Sequence, residues 1–326
     1  MMKNVCIIGY GAIGPVHADA IEKTENARLY AVCDTNPQKV EICKEKYDVV
    51  GYTDIDEMLQ DENIQSVHIC TPHYLHFDMI KKSLAAGKDV VVEKPVTMTR
   101  SEFDELLTLE NADKVCVVLQ NRLNPAVSKL KEIAENGEFG KITGAKGVLT
   151  WSRDAEYYAQ DEWRGKYKTE GGGVLINQAV HTLDYFSYIA GGADSVKAQM
   201  ANFSIDEIEV EDTVSASLKL KNGTKGVFFA TNAYSTDSAP VFEVLFENGK
   251  AEYTDGKLFV DGKVIAEDSK PEIGKAYWGM GHIALIKRFY DSGEYFSLND
   301  VKNTMYTMFA MYESAQCNAK TIDVEK

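Results

Sequence analysis

Six residues, Gly9-Tyr10-Gly11-Ala12-Ile13-Gly14, constrain this chain more than any other stretch. They follow an apolar run, 5–9, whose length and composition predict a buried strand. They open an amphipathic stretch, 12–23, that predicts a helix. Asp34 closes the next apolar run, 20 residues beyond Gly14. A lone G-x-G-x-x-G is a weak signal. Set between strand and helix, and answered by an acid at that distance, it specifies a dinucleotide-binding turn. Gly9 permits the tight turn, Gly11 lets the backbone approach a pyrophosphate, and Gly14 lets helix and strand pack closely. The N–H groups of the turn through Ala12 and Ile13 then meet the anion at the positive end of the helix. Asp34 accepts hydrogen bonds from ribose hydroxyls and opposes a 2′-phosphate, so NAD is expected in preference to NADP.

The alternation continues. Strands are expected at 27–34, 66–72, 89–95 and 114–120, with helices at 37–47, 76–88 and 101–109. Strands alternating with helices imply right-handed crossovers and a parallel sheet covered on both faces. The pattern changes after residue 122. A helix over 125–135 is followed by strands at 141–151, 212–221, 224–234 and 241–248. Asn222-Gly223, Asn248-Gly249, Asp255-Gly256 and Asp261-Gly262 mark tight hairpin turns. Helices are expected at 174–190, 280–291 and 301–319, flanking that sheet. The expected fold is therefore α/β, a doubly wound parallel-sheet Rossmann domain over 1–122. An α+β domain with a large, mostly antiparallel sheet follows over 123–326, its last helix free to pack back on the first domain.

Composition excludes several classes. The 326 residues are 44% apolar and 26% charged, ordinary for a globular chain. Fifty acids against 35 bases give a formal charge of -15, a field that repels a nucleic-acid backbone. No apolar stretch approaches the length of a membrane span. The run after Lys3 is too short and too broken by glycine for a secretory signal. Cys6, Cys33, Cys43, Cys70, Cys116 and Cys317 form no C-x-x-C pair, so reduced thiols in a cytoplasmic protein are expected. His17, His68, His73, His76 and His282 share no ligand spacing, and no metal is expected. One face of the antiparallel sheet needs cover, which predicts a homodimer or homotetramer.

In an open parallel sheet, ligands lie beyond the carboxyl ends of the strands. Gly9, Asp34, Thr71, Glu93 and Gln120 all stand at such ends. Lys94 is thereby aimed at the nicotinamide end of the site. Oxidising an alcohol requires a group that takes the hydroxyl proton as hydride leaves. A lysine that is partly desolvated near a cationic ring can do this. On the helix expected over 174–190, Asn177 lies four residues before His181 and Asp184 three after. All three then share one face, with a carboxylate near the imidazole.

Glu93-Lys94-Pro95, the glycine fingerprint and Thr71-Pro72 together resemble the Gfo/Idh/MocA oxidoreductase family, over essentially the whole chain. Residues 171–184 (GGGVLINQAVHTLD) are similar to that family's histidine-bearing segment. QNRLNPAV at 120–127 and Tyr157-Tyr158…Trp163-Arg164-Gly165 look like the branch acting on sugars and nucleotide sugars. The resemblance implies an NAD-dependent oxidoreductase that moves hydride between nicotinamide and a secondary alcohol or ketone of a cyclic sugar, sugar derivative or inositol. It implies catalytic roles for Lys94 and His181, and cofactor contacts from Thr71, Pro72 and His76. Arg122, Tyr157, Tyr158, Trp163, Arg164 and Asn177 become candidates for a pocket around a small polyhydroxylated substrate, where aromatic faces stack on sugar rings. Many members carry Asp where Asn177 stands; Asn cannot carry a proton, and here only hydrogen-bonds. The alternative is a catalytically silent dinucleotide-binding regulator of the same fold, against which Lys94 and His181 both speak.

Overall fold

The computed structural model describes residues 2–326. It resolves into two compact units that are not consecutive in sequence. The first comprises Met1–Thr97, Ser101–Gln120 and Lys270–Asp300; the second comprises Met98–Arg100, Asn121–Ser269 and Val301–Lys326.

The first unit is a parallel sheet of β1 (Lys3–Ile8), β2 (Ala27–Cys33), β3 (Val50–Tyr52), β4 (Ser66–Ile69), β5 (Asp89–Val92) and β6 (Val115–Val117). Their order is β3-β2-β1-β4-β5-β6. The crossovers run through α1 (Gly14–Glu22), α2 (Pro37–Tyr47), α3 (Ile55–Leu59), α4 (His76–Ala85) and α5 (Arg100–Thr108). The apolar stretches of the central strands are buried, as covered parallel strands must be. The order reverses direction between β1 and β4, and that switch point is where the fingerprint turn lies. β3 and α3 were not expected from the sequence. Three residues on an edge, with Val50 exposed, carry too little pattern to read.

The second unit contains α6 (Pro125–Asn136), β7 (Ile142–Thr150), α7 (Ala155–Ala159), α8 (Val180–Tyr188), β8 (Ala193–Ala201), β9 (Thr213–Leu220), β10 (Lys225–Thr231), β11 (Val241–Phe246), β12 (Gly249–Thr254), β13 (Lys257–Val260) and β14 (Lys263–Glu267). Later in the chain come α9 (Gly281–Lys287), α10 (Leu298–Gln316) and β15 (Ile322–Asp323). The nine-stranded sheet is ordered β14-β13-β12-β11-β7-β10-β9-β8-β15. Its pairs are antiparallel except β7 with β10. All four Asn-Gly and Asp-Gly dipeptides join neighbouring antiparallel strands. Asp255, Gly256, Asp261 and Gly262 all have positive φ, as the tightest hairpin turns require.

Two expectations are corrected. The helix expected over 280–291 does form, as α9 and a wider turn over Arg288–Ser292, but it belongs to the first unit and packs on α1. Its apolar face, Leu285 and Ile286, gave no sign of which sheet it serves. The helix expected over 174–190 is regular only from Val180. Before it, a side chain at Gly172 would lie 2.0 Å from the Tyr312 hydroxyl, and one at Gly173 would lie 1.9 Å from the Glu211 carbonyl. Those glycines serve close packing of an irregular turn. Among the described residues, no helix is long and apolar enough to cross a membrane.

Candidate active site

The fingerprint turn fits a dinucleotide. Helix α1 begins at Ile13 with no side-chain cap and with Pro15 in its first turn. By contrast, Asn36, Asp54 and Asp154 cap α2, α3 and α7 with their own side chains. The first turn of α1 therefore keeps backbone N–H groups for an anion. A Cβ at Gly11 would meet no protein atom within 4 Å, so the backbone there is open to a pyrophosphate. Gly9, at φ 87°, has no room for a side chain: a Cβ would come within 2.9 Å of the Thr71 methyl and 3.0 Å of the Cys70 carbonyl. The turns after β1 and β4 are thus in contact. Asp34 is held by two backbone donors, Tyr10 N at 2.7 Å and Asn36 N at 2.9 Å, with the Lys39 ammonium 3.8 Å away. A carboxylate fixed in this way presents its remaining lone pairs in a set direction.

Lys94 is half-buried just beyond β5, and its bond to Pro95 is cis. Its two neighbours are anchored. Glu93 Oε1 lies 2.9 Å from His17 Nε2 and 3.5 Å from His282 Nε2. The Pro95 carbonyl lies 2.7 Å from His76 Nδ1, and the Thr71 carbonyl lies 2.8 Å from His76 Nε2. His76 is fully buried, so its ring ties the Thr71 turn to the Lys94 turn and is not presented to a cofactor. Burial alone would raise the Glu93 pKa. The hydrogen bonds and charge of His17 and His282 more than offset this and hold it well below the usual carboxylate range. Burial lowers His282 and His68, favouring neutral rings; it also lowers His76, where the Pro95 and Thr71 carbonyls on its two ring nitrogens pull the other way. His17, Glu93 and His282 bring their ligand atoms within 4.8 Å of one another, a convergence that their spacing in the chain concealed. Here those atoms are engaged with each other. Thr71 and Pro72 lead into the turn before α4; Gln120 is buried just after β6.

In the second unit, His181 stands in the first turn of α8, half-buried, and Asn177 lies in the irregular turn before it. Asn177 Nδ2 donates to Glu170 Oε1 at 2.6 Å, and the other oxygen of Glu170 accepts from Gly165 N at 2.5 Å. Glu211 accepts from Gly173 N at 2.9 Å, Leu175 N at 3.1 Å and the Tyr312 hydroxyl at 2.9 Å. Burial dominates, and it pushes the Glu211 carboxyl up to about 7 despite those donors. Neither glutamate stands out in the sequence, where Glu170 beside glycines and Glu211 in an acidic run look like any other acids.

Asp184 does not serve His181. Its carboxylate takes a two-pronged bond from Arg122, Nε at 2.8 Å and Nη2 at 2.6 Å, and a third from the Thr304 hydroxyl at 2.6 Å. Arg122 is 2% exposed and its guanidinium also lies over the Tyr188 ring, so this pair braces α8 rather than lining an open pocket. Tyr158 is likewise core: it packs with Ile205, Ile208 and Val210, and Asn232 Nδ2 donates to its hydroxyl at 3.0 Å. Tyr157, Trp163 and Arg164 stay half-buried. The Tyr157 hydroxyl accepts from Arg164 at 2.9 Å and from Gln178 Nε2 at 3.1 Å. The Arg164 guanidinium lies 4.5 Å from the Trp163 ring centre. Gln178 thus joins this polar and aromatic group, although nothing in its sequence position marks it.

Sheet order, glycine turn and the strand-end lysine define the class, an NAD-type Rossmann oxidoreductase with a second, sheet-based unit. A family model described as an oxidoreductase family with an NAD-binding Rossmann fold matches residues 3–121, and the GFO/IDH/MocA C-terminal domain matches 127–252. The chain belongs to the Gfo/Idh/MocA oxidoreductase family. It is 30% identical to the myo-inositol 2-dehydrogenase of Thermotoga maritima over 235 residues, 69% of this chain and 67% of that one. It is 29% identical to an uncharacterized oxidoreductase of Synechocystis over 241 residues, 67% of this chain; the match spans 62% of that relative's length. The structure resembles that of the WlbA dehydrogenase from Chromobacterium violaceum, solved with NADH and UDP-GlcNAcA. Identity is 27% and the TM-score 0.87, covering 99% of this chain and 96% of that one.

Proposed function

We propose that this chain is an NAD-dependent dehydrogenase or reductase that interconverts a secondary alcohol and a ketone on a cyclic polyhydroxylated substrate, a sugar, a sugar derivative or an inositol. The observation that carries this reading is the bundling of three strand ends in the first unit. The turn after β1 touches that after β4, and His76 ties the latter to the turn bearing Lys94. The fingerprint and Lys94 are therefore parts of one rigid construction at the carboxyl edge of the sheet. NAD, when bound, supplies the hydride acceptor. Relatives named for myo-inositol or solved with UDP-GlcNAcA support a ring-shaped, hydroxyl-rich substrate.

In this reading His181 accepts the hydroxyl proton during oxidation and cationic Lys94 stabilises the developing alkoxide. Neutral imidazole is ready to accept a proton near pH 7, whereas an ammonium is suited to hold negative charge. Asn177, fixed by Glu170, orients substrate without adding a titrating group. Tyr157, Trp163 and Arg164 supply stacking and donor groups for the ring. The test is a screen of NAD⁺ reduction against inositols, hexoses, glycosides and nucleotide sugars. Turnover with one of these classes is expected; NAD binding without turnover on any of them would favour the regulator. With the best substrate, the rate should fall on the acid side of a single limb, and His181→Asn should remove that limb. A limb that survives in this variant and vanishes with Lys94→Ala reverses the two roles.

The reading extends to assembly. The sheet face carrying Val227 and Leu245 leaves them 54% and 42% exposed, while Phe228 and Val244 between them are buried on the other face. A second copy of this chain is the occupant proposed for that face. Sedimentation of the wild type as a monomer at micromolar concentration would count against it.

A further inference from the structure

We propose that Glu93, with His17, His282 and His76, forms a clamp of positioning residues that fixes the Lys94 ammonium and favours its cationic form; this rests on the reading that Lys94 meets the substrate.

The residues on either side of Lys94 are both anchored, and each anchor comes from a different element. On one side the Glu93 carboxylate receives His17 from α1 and His282 from α9, and its second oxygen accepts the Lys94 backbone N–H at 3.3 Å. On the other side His76, at the start of α4, holds the Pro95 carbonyl. His17, His76 and His282 are 0%, 0% and 3% exposed, so water does not compete for these bonds. Exposed anchors of the same kind would be worth little.

The bonds behind His17 order the protons. His17 Nδ1 lies 2.8 Å from His68 Nδ1, His68 Nε2 lies 2.9 Å from the Tyr290 hydroxyl, and that hydroxyl lies 2.7 Å from Ser66 Oγ. One arrangement with neutral rings satisfies each contact in this chain, at the expense of the longer 3.3 Å bond from Ser66 Oγ to the Asp89 carbonyl. Ser66 donates to Tyr290, Tyr290 to His68, His68 to His17, and His17 to Glu93. All donors then point toward the carboxylate, which keeps the single negative charge of the group. The titratable groups facing that charge are His17 on α1, His68 and Cys70 at β4, His76 on α4 and His282 on α9, and Lys94 adjoins it through its backbone N–H. Of these only Lys94 is ordinarily cationic at neutral pH. A buried charge of fixed sign beside the turn therefore favours the ammonium that the proposed chemistry needs. The clamp also links two parts of the site, because His17 rides on the helix whose first turn receives the pyrophosphate.

The test does not require the substrate. Competitive acetylation of Lys94 with acetic anhydride, read by mass spectrometry across pH with NAD present, reports its titration and accessibility. Glu93→Gln keeps the shape and removes the charge; the Lys94 midpoint should fall by about half a pH unit or more. His282→Leu removes one anchor and should broaden or shift that titration; His282→Gln, which restores a donor, should return it toward wild type. NAD affinity, by contrast, should stay within about threefold, since none of these groups touches the fingerprint turn. With substrate in hand, kcat should drop about tenfold or more in His282→Leu at little cost in the KM for NAD. An unchanged Lys94 titration and kcat in both Glu93→Gln and His282→Leu, with only thermal stability lowered, would overturn the clamp. If Glu93→Gln fails to fold, the His282 pair alone decides. Normal turnover by Lys94→Ala would instead overturn the role of Lys94 on which the clamp rests.

Discussion

Glu93 and Glu211 are the same side chain put to the same use, yet they titrate in opposite directions. Each is buried, and each fixes a turn that carries a proposed site residue, Lys94 in the first unit and the segment before His181 in the second. Glu93 is hydrogen-bonded by two imidazole side chains, and its pKa falls well below the usual range. Glu211 faces backbone N–H groups and a phenol, and burial wins: its pKa rises to about 7. The side-chain donors at Glu93 outweigh its burial, and the donors at Glu211 do not. The first unit holds its lysine with a permanent anion, and the second holds its loop with a carboxyl that changes state near neutrality.

The largest expected effect lies at the far end of that scale, where the partner is always charged. Arg122→Met should strip Asp184 of the buried guanidinium that pairs with it and cost about 3–5 kcal/mol of unfolding free energy by denaturant titration. Arg122→Met with Asp184→Leu should recover most of that loss. A single variant as stable as wild type would mean that Asp184 is readily rehydrated, and the contrast between partners would lose its anchor.

Glu211 comes next. Its folded pKa is raised from 4.5 to about 7. Its stabilising contribution is therefore fully present below pH 4.5, declines across the interval, and is lost above about 7. The full swing corresponds to about 3 kcal/mol. Glu211→Gln has no such swing, so the melting temperature of the variant relative to wild type should climb from pH 5 to pH 8. A constant difference across that range would place the carboxyl outside the reach of burial. The corresponding comparison for Glu93→Gln should show no climb between pH 5 and 8, because that group is ionised throughout.

The smallest effect belongs to Asp34, whose side chain is partly exposed and screened. Repulsion of a 2′-phosphate should cost NADP about 1–3 kcal/mol relative to NAD, about ten- to a hundredfold in affinity. Isothermal titration of both cofactors checks it, and Asp34→Ser should close most of the gap. Equal dissociation constants in the wild type would show that Lys39, 3.8 Å away, already neutralises the acid.

The same contrast explains what could be read in advance. Periodicity and turn chemistry are local, so the parallel unit, the fingerprint and all four tight hairpin turns were legible. β8 escapes the sequence pattern because an irregularity at Ala193–Ser195 leaves the exposed Asp194 and Lys197 three residues apart and breaks the strand alternation. The glycines at 172 and 173 read as the lead into a helix, whereas close packing against Tyr312 and the Glu211 backbone decides their conformation. Asp184 was paired with His181 by helical spacing, but the buried guanidinium of Arg122 is a stronger claimant than an imidazole. His17 and His282 reach Glu93 from opposite ends of the chain. A partner fixed by tertiary structure leaves no mark on the spacing of neighbours.

That last pairing bears on how the protein is made. The first unit is interrupted: after Gln120 the chain leaves it and returns at Lys270. At a synthesis rate of about 5–20 residues per second, the missing stretch of roughly 150 residues takes on the order of 10–30 s to emerge. During that interval the nascent cofactor unit has its fingerprint turn but lacks α9, so the face of α1 that α9 covers is bare and Glu93 has His17 without His282. The ribosome therefore delivers a nucleotide cradle well before the glutamate beneath the lysine has both of its partners.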